Sequence, residues 1–151
     1  MKTRGFEVVS SYKDLGINIP TRKTAKSAGY DIESGIDTVI SAGKTVLIPT
    51  GLKAYMQADE VLYIYIRSSV AVEKNIMLTN YVGVIDADYY GNEENEGHIF
   101  ISLTNNSDRA VTISKGERIA QGIFQKYLMV DGDSEEIGAK RTGGFGSTGT
   151  N

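Results

Sequence analysis

Six consecutive apolar residues stand near the middle of the chain: Val61-Leu62-Tyr63-Ile64-Tyr65-Ile66. In an extended strand, successive side chains point to opposite faces, so Leu62, Ile64 and Ile66 share one face and the other three residues share the second face. β-Branched and aromatic side chains are the types that strands favour. A strand that is apolar on both faces needs cover on both sides. The stretch therefore predicts a central strand of a packed sheet.

The sequence on either side predicts further short strands separated by turns. Period-two alternation of apolar residues predicts strands near 6–10, 44–56, 76–86, 98–104, 110–114 and 118–128. Clusters of turn-forming residues predict turns at 41–44, 105–108 and 114–117. One short helix is expected, around Val70 to Lys74. Many short strands with turns between them are typical of an all-β sandwich, jelly roll or related barrel.

The composition fits one domain and excludes several kinds of site. At 151 residues, with 40% hydrophobic and 23% charged side chains, the chain can bury a core of its own. The absence of cysteine excludes disulfides, thiolate metal sites and cysteine nucleophiles, and it fits a reducing cytosol. A single histidine, His98, cannot build a histidine metal centre.

Charge and hydropathy argue against two classes of partner. A net charge of −3 does not fit a general nucleic-acid binder, which depends on clustered Lys and Arg. No apolar run approaches the roughly 20 residues that span a bilayer, and the N-terminus leads into a strand-like segment instead of a signal core. We therefore expect no nucleic-acid partner, no membrane partner and a cytoplasmic location, in a cell or in the host cell of a virus.

The composition shifts towards the C-terminus, and we divide the chain into a β domain at 1–137 and an arm at 138–151. The arm contains the run Arg141-Thr142-Gly143-Gly144-Phe145-Gly146-Ser147-Thr148-Gly149. Free backbone N–H groups, an arginine fork and an aromatic ring are the groups that a lid over a nucleotide uses. The same composition is also typical of a disordered chain end, so the run alone does not decide between the two.

Four further segments carry polar groups that strands do not need. They are Ser27-Ala28-Gly29-Tyr30-Asp31, Arg67-Ser68-Ser69, Gly83-Val84-Ile85-Asp86-Ala87-Asp88-Tyr89 and Gly116-Glu117-Arg118-Ile119-Ala120-Gln121. A cation and two hydroxyls at a strand end suit phosphate. Asp86 and Asp88 share a face if their segment is extended. Taken singly, each segment also has a plain interpretation: a turn cap for Asp31, a solvated strand end for Arg67, loop acids for the aspartates and a structural amide for Gln121.

Together with the arm, these segments resemble the five motifs of the homotrimeric dUTPase family in sequence and in spacing. The resemblance runs from about Ala28 to Gly149. It implies a homotrimer of jelly-roll-like (β-clip) subunits with one short helix and a flexible glycine-rich arm, whose active sites lie between subunits. It also implies hydrolysis of dUTP to dUMP and pyrophosphate, which limits uracil in DNA and supplies dUMP for dTTP synthesis.

The resemblance also implies the roles of individual residues. Asp86 is the general base that orients a water for attack on the α-phosphorus; a carboxylate with a pKa of ~4 is a weak base and acts mainly by positioning. Asp88 is the local rival, and spacing alone does not separate the two. Tyr89 packs against the deoxyribose, and a hairpin near 76–85 reads uracil through backbone groups and Asn80. Ordinary turn and packing roles stay open for Asn80 and Tyr89. The full substrate-binding set implied is Arg67, Ser68, Ser69, Asn80, Gly83, Tyr89, Gln121, Arg141, Phe145, Gly146, Ser147 and Thr148.

Magnesium is the implied cofactor. The three phosphates and water would hold it, with Asp31 acting at most through a water; a purely structural role for Asp31 stays open. Arg118 is interpreted as a scaffold ion pair. The arm, with Phe145 over uracil, is expected to be mobile when the site is empty, because ordering it costs on the order of 1 kcal/mol per residue.

Two features depart from the family pattern. Tyr90 stands where arginine is common, which puts a local salt bridge in doubt. The segment Gly91-Asn92-Glu93-Glu94-Asn95-Glu96-Gly97 is longer than the usual turn and carries three acids. One interpretation is a solvated loop, and the other is an acidic loop at 92–97 that contacts a protein partner.

Two other functions stand as alternatives. A dCTP deaminase-like relative needs a glutamate soon after the third motif, where this chain reads Ser102-Leu103-Thr104-Asn105. A non-catalytic regulatory binder would use the 92–97 loop, but it has no evident use for Asp86 or the arm. Hydrolysis of dUTP is therefore the function that the sequence favours.

Overall fold

Eleven strands and one α-helix make up the part of the chain that the structure, a computed structural model, describes: residues 1–133. The helix, α1, is Ser68–Lys74. Two short 3-10 turns lie at Ser10–Tyr12 and Ala87–Tyr89. The strands are β1 Gly5–Val8, β2 Tyr30–Glu33, β3 Thr38–Ile40, β4 Thr45–Pro49, β5 Leu52–Tyr55, β6 Glu60–Ile66, β7 Ile76–Leu78, β8 Gly83–Asp86, β9 Phe100–Asn105, β10 Val111–Ile113 and β11 Arg118–Lys126.

The strands form four antiparallel sheets. The largest has the order β2-β11-β6-β8, the next has the order β4-β9-β7, and two pairs, β1-β5 and β3-β10, complete the arrangement. The expectation of an all-β fold with one short helix is confirmed. Within the described residues, no helix is both long enough and apolar enough to cross a bilayer.

The predicted central strand is β6, which pairs with β11 on one side and with β8 on the other. Its inward side chains, Leu62 and Ile64, are 0% and 2% exposed. They pack in a core that is rich in isoleucine and also includes Ile32, Ile85 and Ala120. The core therefore covers one face of β6, as the apolar pattern requires.

The second face of β6 has only partial cover within one chain. Tyr63 lies opposite Val84 on β8 and Ile123 on β11, and Tyr65 lies two residues further along. Val84 is 56% exposed, and the two tyrosines are half-buried. We call these four residues, Tyr63, Tyr65, Val84 and Ile123, the outer face. A contiguous apolar surface of this kind typically marks an interface.

Two predicted strands are in fact pairs of strands in different sheets. The 44–56 segment breaks at Thr50 and Gly51, where Gly51 has φ +76° and the Thr50 hydroxyl donates to the Ile99 carbonyl (2.6 Å). The 76–86 segment breaks at the 79–82 turn, where Tyr81 has φ 64°. The alternation of apolar residues continues across both breaks. It shows which side chains share a face of a strand but not where the chain turns, so it predicted neither break.

Two strands, β2 and β3, were not predicted at all. β2 was interpreted only as a polar motif, because a single fully buried side chain, Ile32, stands between Asp31 and Glu33. β3 has three residues, which is too short for alternation to register. The remaining predicted strands are present with ends shifted by at most two residues.

His98 lies in the core in its neutral form. Its Nε2 accepts a hydrogen bond from the Gly51 N–H (2.9 Å), and its ring packs against Tyr12 and Phe100 with centroid distances of 5.1 and 4.3 Å. Burial lowers the pKa of His98 below its ordinary value of 6.5, against a smaller opposing effect of Glu96. Protonation would also remove the acceptor for Gly51, so the fold disfavours the charged form.

We expect the free energy of unfolding to fall as the pH drops below about 6.5. There the unfolded chain binds a proton at His98 that the folded chain does not, so the contribution of His98 is complete above pH 6.5 and is lost towards the lower folded pKa. The slope should approach about 1.4 kcal/mol per pH unit per subunit. Urea unfolding between pH 8 and 5.5, at fixed protein concentration, measures it.

His98→Gln is the matched control, because a glutamine oxygen can accept from Gly51 but does not titrate. The variant should show a flatter profile across this range. Equal slopes for the wild type and the variant would assign the pH dependence to other groups.

Candidate active site

Three of the sequence motifs meet at one cavity of about 480 Å³ beside the edge strand β2, which we call the edge pocket. The segment that enters β2 contributes Ser27, Ala28, Gly29 and Asp31. Arg67, Ser68 and Ser69 line the pocket from the end of β6 and the start of α1. Gln121 and Ile123 of β11 lie between these two groups, and Lys23 completes the lining.

Strand order explains why these distant segments meet. β11 lies between β2 and β6, so Gln121 stands opposite Asp31 on one side and opposite Tyr65 on the other. The Arg67 N–H continues the β6–β11 pairing with a hydrogen bond to the Ile119 carbonyl (3.4 Å). Arg67 itself is still extended (φ −78°, ψ 140°), and α1 starts at the next residue. The strand therefore delivers Arg67, Ser68 and Ser69 to the pocket together.

Two arginines share the carboxylate of Asp31. Arg67 Nε lies 3.5 Å from Oδ1, and Arg118 Nη1 lies 3.6 Å from Oδ2. The Asp31 side chain is 17% exposed, so these charges are only partly screened by water. The three charges leave a net positive site and hold the Arg67 guanidinium beside the pocket. The expected ion pair of Arg118 is thus present.

Gly29 is required for the position of Gln121. A Cβ at Gly29 would lie 2.3 Å from Gln121 Oε1, a distance that no side chain tolerates. The amide Nε2 of Gln121 donates a long hydrogen bond to the Ile66 carbonyl (3.4 Å). Together with the exposed hydroxyls of Ser68 and Ser69, the amide and guanidinium make the pocket rich in hydrogen-bond donors. Such a site suits the oxygens of a phosphate chain.

Asp86 lies on the same side of the sheet but not at the pocket of its own chain. It stands opposite Val61 on β6, whereas Gln121 stands opposite Tyr65, four residues further along the strand. That offset is about 13 Å, and two strand spacings add about 10 Å sideways. The structure therefore brings together Asp31, Arg67, Ser68, Ser69 and Gln121 within one chain, and leaves Asp86 apart from them.

The two aspartates of the third motif do not share an extended strand. Asp86 ends β8, and Asp88 belongs to the 3-10 turn Ala87–Tyr89. The two would share a face only in an extended segment, and that condition is not met, because the chain leaves the extended conformation at Ala87. Both side chains are exposed.

The segment expected to form a hairpin near 76–85 crosses between two sheets instead. β7 pairs with β9, and β8 pairs with β6. Asn80 is exposed in the turn between them, and Gly83 starts β8, where an added Cβ would lie 3.0 Å from Ile64. The turn thus remains open to a ligand, although the two strands beside it do not form a ladder together.

Tyr89 is almost fully buried, with 4% of its surface exposed. Its hydroxyl donates to the His98 carbonyl (2.5 Å) and accepts from Asn95 Nδ2 (2.9 Å). Within one chain the tyrosine is a packing residue, and little of its surface is left for a sugar.

Tyr90 replaces the expected arginine with a different contact. Its hydroxyl donates to Glu7 Oε1 (2.5 Å), which raises the pKa of Tyr90 through that hydrogen bond. Lys53 lies over its ring, with Nζ 5.4 Å from the centroid. The phenol therefore connects the third motif to β1. A hydrogen bond from Tyr90 to Glu7 stands where the family arginine would form a salt bridge.

The acidic segment is anchored to the fold. Its stem is closed by hydrogen bonds from the Gly91 N–H to the Glu96 carbonyl (3.0 Å) and from the Glu96 N–H to the Asn92 carbonyl (2.8 Å). Glu96 Oε2 accepts from the Ser10 N–H (3.2 Å) and from Lys53 Nζ (3.1 Å), contacts that lower its pKa. Only Glu93 and Glu94 have exposed side chains at the tip. Binding of a partner protein there stays a prediction.

The edge pocket holds one carboxylate, that of Asp31, and one lysine, Lys23. Among residues 1–133, no three His, Asp or Glu side chains cluster as metal ligands.

Lys23 was not predicted as a site residue, since nothing in the sequence distinguishes it from Arg22 or Lys26. The remaining expected site residues lie outside the described part of the chain: Arg141, Phe145, Gly146, Ser147 and Thr148.

The chain matches the family model described as dUTPase over residues 16–149. It is 58% identical to the deoxyuridine 5′-triphosphate nucleotidohydrolase of Lactococcus lactis over 149 residues, which cover 99% of each chain. The Haemophilus ducreyi enzyme of the same name is 38% identical over 138 residues, covering 87% of this chain and 86% of that enzyme.

Solved structures give the same result. The dUTPase of Streptococcus mutans is 51% identical, with a TM-score of 0.81 over 85% of this chain and 99% of its own. A mutant dUTPase from phage phi11 of S. aureus, 20% identical with a TM-score of 0.71, shares the fold over 90% of this chain and 98% of its own. The likeness confirms the jelly-roll-like subunit. On the family match and the identity along nearly the whole chain, this protein belongs to the dUTPase family, the nucleotidohydrolases of deoxyuridine 5′-triphosphate.

Proposed function

We propose that this chain hydrolyses dUTP to dUMP and pyrophosphate at sites shared between copies, where the edge pocket of one copy binds the triphosphate and Asp86 of another aims the attacking water. The observation that carries this proposal is the separation of Asp86 from the pocket on one sheet face. A general base must lie within hydrogen-bond reach of the water that it activates, and that water must lie next to the reacting phosphorus. An offset of more than about 10 Å in one chain leaves a second copy to supply the base.

The outer face supports assembly of copies. Tyr63, Val84 and Ile123 lie in one row across the sheet, which begins at the pocket lining with Ile123 and ends on β8, the strand that carries Asp86. A second chain that covers this apolar row would also approach both halves of the site. On the family resemblance, the closed assembly would be a homotrimer with three equivalent sites.

The chemistry is an in-line displacement at the α-phosphorus. The water oxygen forms a bond to phosphorus while its proton passes to the Asp86 carboxylate. The bond from the α-phosphorus to the bridging oxygen breaks, and pyrophosphate leaves with the electron pair. Arg67, Ser68 and Gln121 stabilise the charge that moves onto the leaving oxygens, with Ser68 near the α–β bridge.

Recognition of the nucleoside belongs to the 79–83 turn. Backbone groups there, with Asn80, would pair with uracil; cytosine inverts a donor and an acceptor and leaves buried groups unpaired. Thymine adds a methyl group for which a tight turn has no room. Tyr89 would present its ring edge to the deoxyribose and reject a 2′-hydroxyl. We assign the arm residues Arg141, Phe145, Gly146, Ser147 and Thr148 to closure over the bound nucleotide.

Magnesium fits this donor set as an ion carried by the substrate. The pocket offers one carboxylate, Asp31, already shared by two arginines, so water and phosphate oxygens would complete the six positions that Mg²⁺ prefers. In the phage phi11 dUTPase, which has the same fold, a structural Mg(II) ion is coordinated. When bound here, the ion would neutralise phosphate charge, with Asp31 holding it through water.

The rival functions find less support. A deaminase-like relative needs a glutamate near Ser102, where the side chains of Thr45, Thr79, Ser102 and Thr104 instead form a hydroxyl cluster, with O···O distances of 2.7 to 2.9 Å. A regulatory binder would not need the donor-rich edge pocket. A cytoplasmic location of the protein fits a nucleotide substrate.

Asp86→Asn should abolish turnover of dUTP while leaving binding intact, because the amide keeps the shape but cannot take the proton. Phosphate release with added pyrophosphatase measures this on dUTP, dCTP, UTP and dTTP, and only dUTP should be hydrolysed by the wild type. Asp88→Asn is the matched control and should retain most of the activity. Equal turnover by Asp86→Asn would move the base elsewhere.

Shared sites predict complementation between two inactive variants. When Asp86→Asn and Arg67→Ala subunits are refolded together in equal amounts, about a quarter of the sites should combine an intact base with an intact pocket. The mixture should thus recover about a quarter of wild-type activity, whereas each variant refolded alone stays inactive. A mixture no more active than its parents would place Asp86 and Arg67 of one chain in the same site.

Gly29→Ala should reduce dUTP turnover without unfolding the protein, because the added methyl group displaces the Gln121 amide from the pocket. A drop of roughly 100-fold is expected if one stabilising donor is misplaced. In a Gln121→Ala background, the same substitution should cost much less, since the clashing amide is already gone. Full additivity of the two losses would show that Gly29 acts through something other than Gln121.

A further inference from the structure

Lys23 lies on the rim of the edge pocket, in a segment that is folded as a turn. The Arg22 guanidinium donates to the carbonyls of Ala25 (2.8 Å) and Ser27 (3.3 Å), and its charge lies over the ring of Tyr30. The hydroxyls of Thr24 and Ser27 share a hydrogen bond of 2.6 Å. Arg22 also forms an isolated antiparallel β-bridge with Tyr30. Beside it, the Asp31 N–H donates a hydrogen bond to the Thr21 carbonyl (2.9 Å). These contacts hold the backbone of the turn that carries Lys23, while its exposed side chain stays free to move.

The charge of Lys23 is not used within the described chain. Arg67 and Arg118 both face Asp31, so part of their charge is already offset. Lys23 lines the same pocket, yet no ion pair joins it to a residue of 1–133. An exposed ammonium on a four-carbon stem can follow a phosphate group as it enters.

The direction of the pocket suggests which phosphates Lys23 meets. The pocket runs from Ser68 at the end of β6, across Gln121 on β11, to the segment before the edge strand β2. If Ser68 stands near the α–β bridge, as the proposed function has it, the chain of phosphates extends across Gln121 towards Lys23. The far end of that path holds the terminal phosphates.

We propose that Lys23 binds the terminal phosphates of the substrate and sets the affinity for the triphosphate, as distinct from the monophosphate product. The inference rests on the proposed function of the edge pocket and adds a residue to it. Lys23 then favours entry of dUTP and does not hold back dUMP, which lacks the groups that it contacts.

Lys26 is a matched control in the same turn. It is exposed, it is three residues away, and it neither lines the pocket nor forms an ion pair with a residue in the described range. Charge reversal at Lys26 changes the net charge of the protein by the same amount as charge reversal at Lys23. A general electrostatic effect would thus appear equally in both variants.

The test compares Lys23→Ala, Lys23→Glu and Lys26→Glu with the wild type in steady-state hydrolysis of dUTP. We expect KM to rise about fivefold for Lys23→Ala and about twentyfold for Lys23→Glu, with kcat changed less than about twofold. Lys26→Glu should stay within about twofold in both constants. The effect at Lys23 should shrink as the salt concentration rises.

Binding of two unreactive ligands gives the second measurement. Affinity for α,β-imido-dUTP should fall in the Lys23 variants by the same factors as KM rises, while affinity for dUMP should stay unchanged. Equal losses for both ligands, equal effects at Lys23 and Lys26, or a fall in kcat alone would overturn the assignment. A wild-type protein that fails to hydrolyse dUTP would instead refute the proposed function, so the two failures are distinguishable.

Discussion

The position of β11 between β2 and β6 is the constraint on which the rest of the structure depends. This one strand supplies hydrogen-bond partners to both neighbours, and it carries Gln121 outward and Gly122 inward at adjacent positions. A Cβ at Gly122 would lie 3.0 Å from Leu62 and 3.4 Å from Ile32, so the glycine lets the core close tightly beneath the pocket. The pairing register of β11 therefore determines both the packing of the core around Gly122 and the position of the Gln121 amide at the pocket.

Charge compensation at Asp31 makes this arrangement suitable for an anion. Without the carboxylate, Arg67 and Arg118 would repel each other across a half-buried site, and a flexible guanidinium would have to be ordered by the ligand itself. With it, the arginine fork is placed before the substrate arrives, and the net charge of the group stays positive. Preorganised donors of this kind act most strongly where charge develops during the reaction.

The sequence predicted the parts of this molecule that follow from local chemistry. Alternation identified β6, and the short helix and the turns followed from residue types. The pocket set of Asp31, Arg67, Ser68, Ser69 and Gln121 came from motif resemblance. The breaks at Gly51 and at the 79–82 turn were not predictable, because alternation continues through them and only the sheet to which each strand belongs reveals the change. Burial of Tyr89 and the role of the Lys23 turn likewise depend on contacts between segments far apart in sequence.

The anchored stem of the 91–97 segment also separates its structural contacts from its exposed tip. Its closure relies on the Gly91–Glu96 backbone bond and on the contacts of Glu96 with Lys53 and Ser10, none of which involves the tip. The exposed tip at Glu93 and Glu94 can therefore be lengthened at little cost to the scaffold, whereas Asn92 and Asn95 hold the segment through hydrogen bonds of their own. An insertion at this tip would therefore change the surface chemistry of the segment while the nucleotide site stays untouched.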